Sequence, residues 1–388
     1  MTNPDFSAQS QDMSDPIERL VWHYENPAAE ALSFAARGIP VVAMTSNTVP
    51  WELIRASGVF PFVINSGNAN HADIGRFMEE SVFEERIQAI FGDAISGDLQ
   101  YLSLLLIPRT SEQEYKLYLY LREVARRHPE RGIPPVYLYD MLHTRTSGSY
   151  VYGLGRTLHL KERLQKLTEK GMDDAALLQA IEESNSARKA IRRLLSFRKG
   201  KPRLSGTEAL ALIGASFFIS KIQYAGLAEQ AADIIENRNP LPGKRLLVTG
   251  TSLSHRRLHQ ALEKHGAIVV AEDDWWGSRS AGGNIADRSG DLVRAIFEKY
   301  YLDTPSPRIF PFEISDAWFQ QASCDEIDGV IFYLPPHDCV AGWDYPRRRN
   351  YLVERGIPYL LVREDGKSIS EECHEKIEAF VRRIGVEN

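Results

Sequence analysis

One stretch constrains this chain more than any other. Lys244 to Arg279, KRLLVTGTSLSHRRLHQALEKHGAIVVAEDDWWGSR, has the order of a complete β-α-β unit. Leu246 to Thr249 is a short apolar, β-prone run that closes at Gly250, and the hydroxyls of Thr251 to Ser254 suit the N-cap of a following helix. That helix runs to about His265, Gly266 stops it, and Ala267 to Val270 is the next strand. A right-handed crossover leaves both strand ends, Thr249 to Ser252 and Glu272 to Arg279, on one edge of a parallel sheet. Ligands of α/β proteins sit at such edges. This edge carries Asp273, Asp274, Trp275, Trp276 and then Gly277-Ser278-Arg279.

The same alternation recurs toward the N-terminus. Residues 1–15 are polar and read as disordered, and a first helix spans Pro16 to Arg37. Strands at Ile39–Thr45, Val59–Asn65, Leu102–Ile107 and Val136–Tyr139 interleave with helices at Pro50–Ser57, Ala72–Phe91 and Ser111–Arg127. The run LSLLLI is nearly continuous in apolar residues, as a strand covered on both faces must be. Residues 16–155 therefore form a first α/β domain. A helical segment, 156–240, follows, with a helix from Leu158 to Arg198 broken at Gly171, and a second from Ser205 to Asn237 opened by a Ser-x-x-Glu capping box. Arg238 to Gly243 is the linker into residues 241–388. There, helices at Asp291–Tyr301, Tyr345–Arg355 and Ser370–Ile384 alternate with strands at Gly329–Tyr333 and Tyr359–Val362. The expected fold class is α/β, two doubly wound parallel-sheet domains joined by a helical segment.

Composition excludes several function classes. A net charge of -6 argues against nonspecific nucleic-acid binding. The longest apolar run, Ala209 to Ile219, is too short for a bilayer, and the polar N-terminus lacks a signal-peptide pattern, which places the chain in the cytoplasm. Three cysteines, Cys324, Cys339 and Cys373, are too few for a disulfide scaffold or a self-contained multi-cysteine metal site.

The turn after Val248 lacks the glycine spacing of a dinucleotide fingerprint, and so does Gly153-Leu154-Gly155. His255 and His259 have the spacing of a metal pair on one helix face, but no Glu base lies between them, and they read as surface histidines. His337-Asp338-Cys339 follows a strand end, compatible with a metal ligand or a polar loop. The basic run from Arg188 to Arg203 reads as a solvated face, or as a site for a polyphosphate such as coenzyme A or for a partner protein. Glu52, at the start of a helix, gains from the helix dipole, and the simplest account leaves it ionised and exposed.

Taken together, these residues resemble the 2-hydroxyacyl-CoA dehydratase and benzoyl-CoA reductase family, in its D-component-like subunits. The resemblance rests on Val49-Pro50-Trp51-Glu52-Leu53-Ile54 through Pro61, on Asn185 with Arg188, and on Pro202 to Glu208. Arg245 to Arg279, Asp328-Gly329-Val330-Ile331 leading to Cys339, and Gly356-Ile357-Pro358 extend it.

The resemblance implies a pair of such subunits, a [4Fe-4S] cluster on three cysteines beside an acyl-CoA thioester, and an ATP-hydrolysing activator that injects one electron for ketyl-radical chemistry. Family cysteines fall near Ser81 to Glu84 and at Thr110-Ser111-Glu112, where this chain has none, and many members also carry cysteine where Trp275 and Trp276 stand. Cys339 alone occupies an expected metal-ligand position. The expectation is a divergent member without its own cluster, paired with a cluster-bearing paralogous subunit. It would bind a coenzyme A thioester between its two α/β domains, with Glu52 as the catalytic acid/base and Arg279, Ser278 and Trp275 as substrate-binding residues. Two other readings stay open: a structural subunit of such a complex, and a CoA-thioester enzyme without redox chemistry.

Overall fold

The structure is a computed structural model that describes residues 13–65, 73–79, 83–286, 290–303, 309–324, 326–336, 338–364 and 368–386. The expected disorder of residues 1–15 falls largely outside this set.

Eight strands form two separate, all-parallel sheets. β1 (Val41–Met44), β2 (Phe60–Val63), β3 (Leu104–Pro108) and β4 (Val136–Tyr139) lie in the order β2-β1-β3-β4. β5 (Lys244–Gly250), β6 (Ala267–Glu272), β7 (Gly329–Tyr333) and β8 (Tyr359–Val362) repeat that pattern as β6-β5-β7-β8. Every residue of β1, β2, β3 and β7 is buried, because helices cover both faces. Each sheet reverses its strand order once, between β1 and β3 and between β5 and β7. At such a switch point the loops leave toward opposite faces and open a crevice. Gly250 makes the second one possible. Its φ is +115°, and a Cβ there would stand 2.2 Å from the Tyr333 carbonyl oxygen.

Fourteen α-helices among the described residues surround the sheets. The first half holds α1 (Pro16–Glu25), α2 (Ala29–Ala36), α3 (Trp51–Ala56), α4 (Glu85–Ser96) and α5 (Glu112–Arg127). α6 (Ser147–Thr168), α7 (Asp174–Ser196), α8 (Gly206–Gly214) and α9 (Lys221–Glu236) lie between the sheets in sequence. α10 (Arg257–Lys264), α11 (Leu292–Leu302), α12 (Glu313–Cys324), α13 (Cys339–Glu354) and α14 (Glu371–Val386) complete the set. The fold class is α/β with two parallel-sheet domains, as expected, and the departures are the unexpected helix α12 and several helix ends. The expected first helix is two, because Pro27 forces Asn26 out of the helical region, to φ -121° and ψ 62°. The second central helix breaks after Gly214 and restarts where the Ser220 hydroxyl accepts the Gln223 N–H. α6 starts at Ser147, well before Leu158, because Thr146 Oγ1 accepts the Ser149 N–H. α10 begins only at Arg257 with no side-chain cap, so the Thr251 to Ser254 hydroxyls are free for other work.

The core does not follow chain order. Val42, Met44, Leu104 and Leu106 of the first sheet pack in one cluster with Trp51, Leu160, Leu210 and Trp276, and with Ile296 and Phe297 of α11. Gly153 is small for this reason, since a Cβ there would come within 2.8 Å of the Phe297 ring. The other face of the first sheet buries Ile87, Phe91, Leu117 and Leu121. In the second sheet Leu246, Val248 and Ile331 meet Leu258, Leu262 and Ile377 on one side, and Leu247, Val330 and Phe332 meet Phe319 and Leu352 on the other.

Candidate functional site

Both switch points open onto one cleft of about 280 Å³. The first sheet's end contributes Thr48, Thr110 and Ser111 from its loops, Glu84 and Arg86 at the start of α4, and Glu114 from α5. The second contributes Thr251, Asp273, Asp274, Trp275 and Arg279 after β5 and β6, with Asp338 and Arg348 at and along α13. The hydroxyl-rich turn after β5 faces this space. Thr251 Oγ1 donates to Asp338, whose other oxygen caps α13 by accepting the Ala341 N–H at 2.8 Å.

Two carboxyls in this cleft stay near neutrality. Glu114 accepts hydrogen bonds from Thr45 Oγ1 at 2.8 Å and from Thr110 Oγ1, with Arg86 3.7 Å away. Burial outweighs the arginine and raises its pKa to about 7. Asp274 accepts the Leu253 and Gly277 N–H groups. Burial, reinforced by the charge of Glu272, raises its pKa to about 7 as well. Glu84 is also raised, by burial first and Asp338 second among the raising causes. Asp273 accepts from Arg279 Nη1 at 2.9 Å and from Arg348 Nη1 at 3.2 Å. One carboxyl from each sheet, each able to hold or release a proton around pH 7, is the arrangement general acid/base chemistry uses.

Behind the cleft the β6 end is anchored by a buried cluster. Arg198 donates to Glu272 through two nitrogens, at 2.7 and 2.6 Å, and His259 Nε2 lies 2.9 Å from the same carboxylate. Burial alone would raise the Glu272 pKa, but Arg198 and His259 hold it well below the usual carboxylate range. Two expectations are corrected here. His259 is a fully buried partner of Glu272 rather than a surface histidine, and burial holds His255 neutral, its pKa down at about 3. In the basic run, Arg188 and Arg198 are buried and paired, so that run is only in part a solvated face.

A second, smaller cavity of about 30 Å³ lies on the other side of Arg279, lined by Trp51, Arg188, Ser216, Lys221, Lys299 and Tyr300 among others. Arg279 borders both spaces. Its guanidinium stacks 3.6 Å from the Trp318 ring centre while bonding Asp273, so it is held as a fixed wall.

The residues expected at the site separate accordingly. Trp275 lines the cleft, packed edge-on against Phe217 and Trp276. Ser278 lines neither cavity: its Oγ donates to Glu272 and accepts the Glu272 N–H, closing the turn that presents Arg279. Glu52 is fully buried rather than exposed, with Arg188 Nη2 donating at 2.6 Å and the Tyr300 hydroxyl at 2.9 Å. Burial alone would raise its pKa, but Arg188, with Ser184 and a backbone N–H, brings it below the ordinary value. Arg188 and Tyr300 stand between Glu52 and the smaller cavity, and Glu52 does not line the cleft. Trp276 is core, whereas Trp343 is 83% exposed.

Glu114, Arg86 and Arg348 escaped sequence reading. Ser111-x-x-Glu114 has capping-box spacing, and Ser111 does accept the Glu114 N–H at 3.1 Å, but the Glu114 carboxylate turns away to Thr45 and Thr110. A local explanation existed for the residue, so nothing flagged it.

The donors among the described residues do not fit an iron–sulfur cluster. At the expected cysteine positions the cleft offers the Glu84 carboxylate and the Ser111 hydroxyl, already used as a helix cap, and oxygen donors are poor ligands for a cluster that takes thiolates. Ser81, Val82 and His337 lie outside the described residues. Cys339 is the first residue of α13, between the cleft-lining Asp338 and Val340, and its side chain is likewise outside the description. Cys373 sits in the core beside Ile377 and Phe380, its thiol pushed up to about 12 by burial. No group of three His, Cys, Asp or Glu side chains among the described residues is arranged to hold a metal ion, and no described helix is long and apolar enough to cross a membrane.

Two parallel sheets that share one cleft at their switch points, with the Glu52 and Arg245–Arg279 segments beside it, define the class. The chain belongs to the 2-hydroxyglutaryl-CoA dehydratase D-component family, whose pattern matches residues 47–384. Among characterised proteins it is similar to the (R)-phenyllactyl-CoA dehydratase beta subunit of Clostridium sporogenes. The two are 23% identical over 348 residues, which cover 85% of this chain and 88% of that protein.

Proposed function

We propose that this chain is a component of a 2-hydroxyacyl-CoA dehydratase-type complex and holds an acyl-CoA thioester in the cleft between its two sheets. Residues 16–155 and 241–388 act as the two α/β domains flanking it and 156–240 as the helical segment joining them. The observation that carries this reading is the shared cleft itself, with Glu114 and Asp274, both near neutrality, in its lining. Loss of water from a 2-hydroxyacyl group needs a proton delivered to the departing oxygen and another removed from the neighbouring carbon. Two carboxyls poised around pH 7 suit those transfers. A space of 280 Å³ lies at the small end of ligand pockets, about 300–1,000 Å³, so it suits the acyl group and thioester rather than the whole coenzyme. Trp275 then forms the apolar wall, and Arg279 offers the thioester carbonyl or a phosphate a planar, two-donor cation. Glu52 acts as a positioning residue that holds Arg188 and Tyr300, and Ser278 as the support of the Arg279 turn.

In this reading the electron-driven chemistry starts elsewhere, because the described donors do not suit a cluster. A cluster-bearing paralogous subunit, charged by an ATP-dependent activator in the cytoplasm, would supply the electron, and no step is assigned to a cluster in this chain. Calorimetry with phenyllactyl-CoA, other 2-hydroxyacyl-CoA thioesters and benzoyl-CoA, on the chain co-expressed with its partner, tests the reading. Wild type binds a 2-hydroxyacyl-CoA, and Arg279→Ala weakens it about tenfold or more through the lost charged hydrogen bond. No binding by wild type in that complex, or Arg279→Ala and Trp275→Ala both equal to wild type, would leave a structural subunit.

A further inference from the structure

The smaller cavity behind Arg279 has a charge imbalance that its own residues do not resolve. Arg188 is paired with Glu52 at 2.6 Å, Arg279 with Asp273 at 2.9 Å, and Lys299 with Asp303. Lys221 is the remaining cation in the lining, and no carboxylate among the described residues lies within ion-pair distance of it. Its ammonium donates to the Ser216 carbonyl at 2.6 Å and sits 5.6 Å from the ring centres of both Trp51 and Phe217. When Lys221 is protonated, one positive charge is therefore uncompensated in a room with largely protein walls.

A second observation is independent of charge. Ser216 is 1% exposed, and its hydroxyl, which borders this cavity, has no hydrogen-bond partner among the described residues. The Ser280 hydroxyl, from the turn after Arg279, is also buried without a partner and borders the same cavity. A buried hydroxyl left unpaired costs about 1–3 kcal/mol. One or two waters would fit the volume and satisfy the hydroxyls, but they would leave the ammonium without a counter-charge. A metal cation is repelled by the same excess. A small anion answers both needs at once: it accepts from the two hydroxyls and from a free proton of the ammonium. Glu52, Asp273 and Asp303 already neutralise the three other cations, so the surplus supports a single negative charge.

We infer that this cavity is a binding site for a small monoanion, the size of a halide or one carboxylate group, with Lys221 as counter-ion and Ser216 and Ser280 as hydrogen-bond donors. Binding is coupled to protonation. Burial, with the charge of Arg188 second, lowers the Lys221 pKa to about 7, so the site weakens as pH rises past that value. The charged and titratable groups around it are Glu52, Arg188, Lys299, Tyr300, Asp303 and Arg279. Tyr300 stays protonated, its pKa raised well above the ordinary value by burial and by Glu52.

The full-length chain titrated with sodium formate, at ionic strength held constant with sodium sulfate, provides the test through tryptophan emission. Trp51 borders the cavity and reports occupancy. Formate gives a saturable change that the larger sulfate dianion does not. Ser216→Ala weakens it about three- to tenfold, the value of one hydrogen bond, and Lys221→Met removes the saturable phase. Circular dichroism and the urea midpoint establish that both variants are folded, and if Lys221→Met does not fold, Ser216→Ala decides alone. Competition separates the sources. Displacement of formate by an acyl-CoA whose chain ends in a carboxylate, and not by one ending in methyl, shows that the anion is the end of an acyl group reaching past Arg279. That arm rests on the acyl-CoA reading. Formate binding without such displacement supports a free-ion site and leaves that reading untouched. No saturable response in wild type, or one unchanged in folded Lys221→Met or Ser216→Ala, overturns the inference.

Discussion

Glu114 and Asp274 each release their proton in the folded chain at a pH of about 7, whereas the ordinary values are 4.5 and 3.8. Between those values and 7 the folded state binds more protons than the unfolded one, so these groups make stability fall as pH rises through that window and stay level above it. His23 and His255 act in the opposite sense. Burial lowers their pKa values to about 4 and about 3, so stability is lost as pH falls below the ordinary 6.5. The difference between wild type and Asp274→Asn isolates the carboxyl. Urea midpoints measured from pH 4 to 8 should show wild type losing ground to the variant up to about pH 7 and running parallel to it beyond. Parallel curves throughout would mean that Asp274 keeps an ordinary pKa. The sequence pattern led to Glu52 and Arg279 because both sit in family segments. It carried no sign that Arg188 and Tyr300 would close over Glu52, since those contacts join residues far apart in the chain.

Strands were the legible elements. Continuous apolar runs such as Leu104–Pro108 have one outcome when both faces must be covered, and all eight strands fall within or beside the stretches expected for them. Helix starts were less legible, because a hydroxyl at a strand end can cap a helix or face a ligand. Thr251 to Ser254 offered caps by composition, yet α10 begins three residues later and Thr251 bonds Asp338. α12 was not foreseen, and α13 begins six residues before Tyr345, since the Asp338 cap starts it and Pro346 is accommodated within it. Gly250 shows the element scale in one residue. Replacement by alanine puts an L side chain at φ +115° and a Cβ against the Tyr333 carbonyl. Backbone strain of about 1–3 kcal/mol and the clash add together, so Gly250→Ala should lower the urea midpoint more than Gly148→Ala. At Gly148 nothing lies within 4 Å of an added Cβ. Equal midpoints for the two variants would show that β5 and β7 part freely at their ends.

At the scale of the whole molecule, α11 comes from the last third of the chain but packs into the core of the first sheet, with Phe297 against Gly153 and Tyr150. Glu52 ties α3 to Arg188 of α7 and Tyr300 of α11, and the Tyr24 hydroxyl reaches the Ser254 carbonyl. The sheets therefore share side chains they cannot lose separately. Thermal unfolding followed by calorimetry should give one transition with equal calorimetric and van't Hoff enthalpies, and two resolved peaks would show that the sheets melt independently. Arg279 adds a thermodynamic symmetry to this mechanical one. A guanidinium that borders two rooms makes their occupancies linked variables. By whatever factor a guest in the small room tightens or loosens the hold of the large one, a guest in the large room must change the small room's affinity by that same factor.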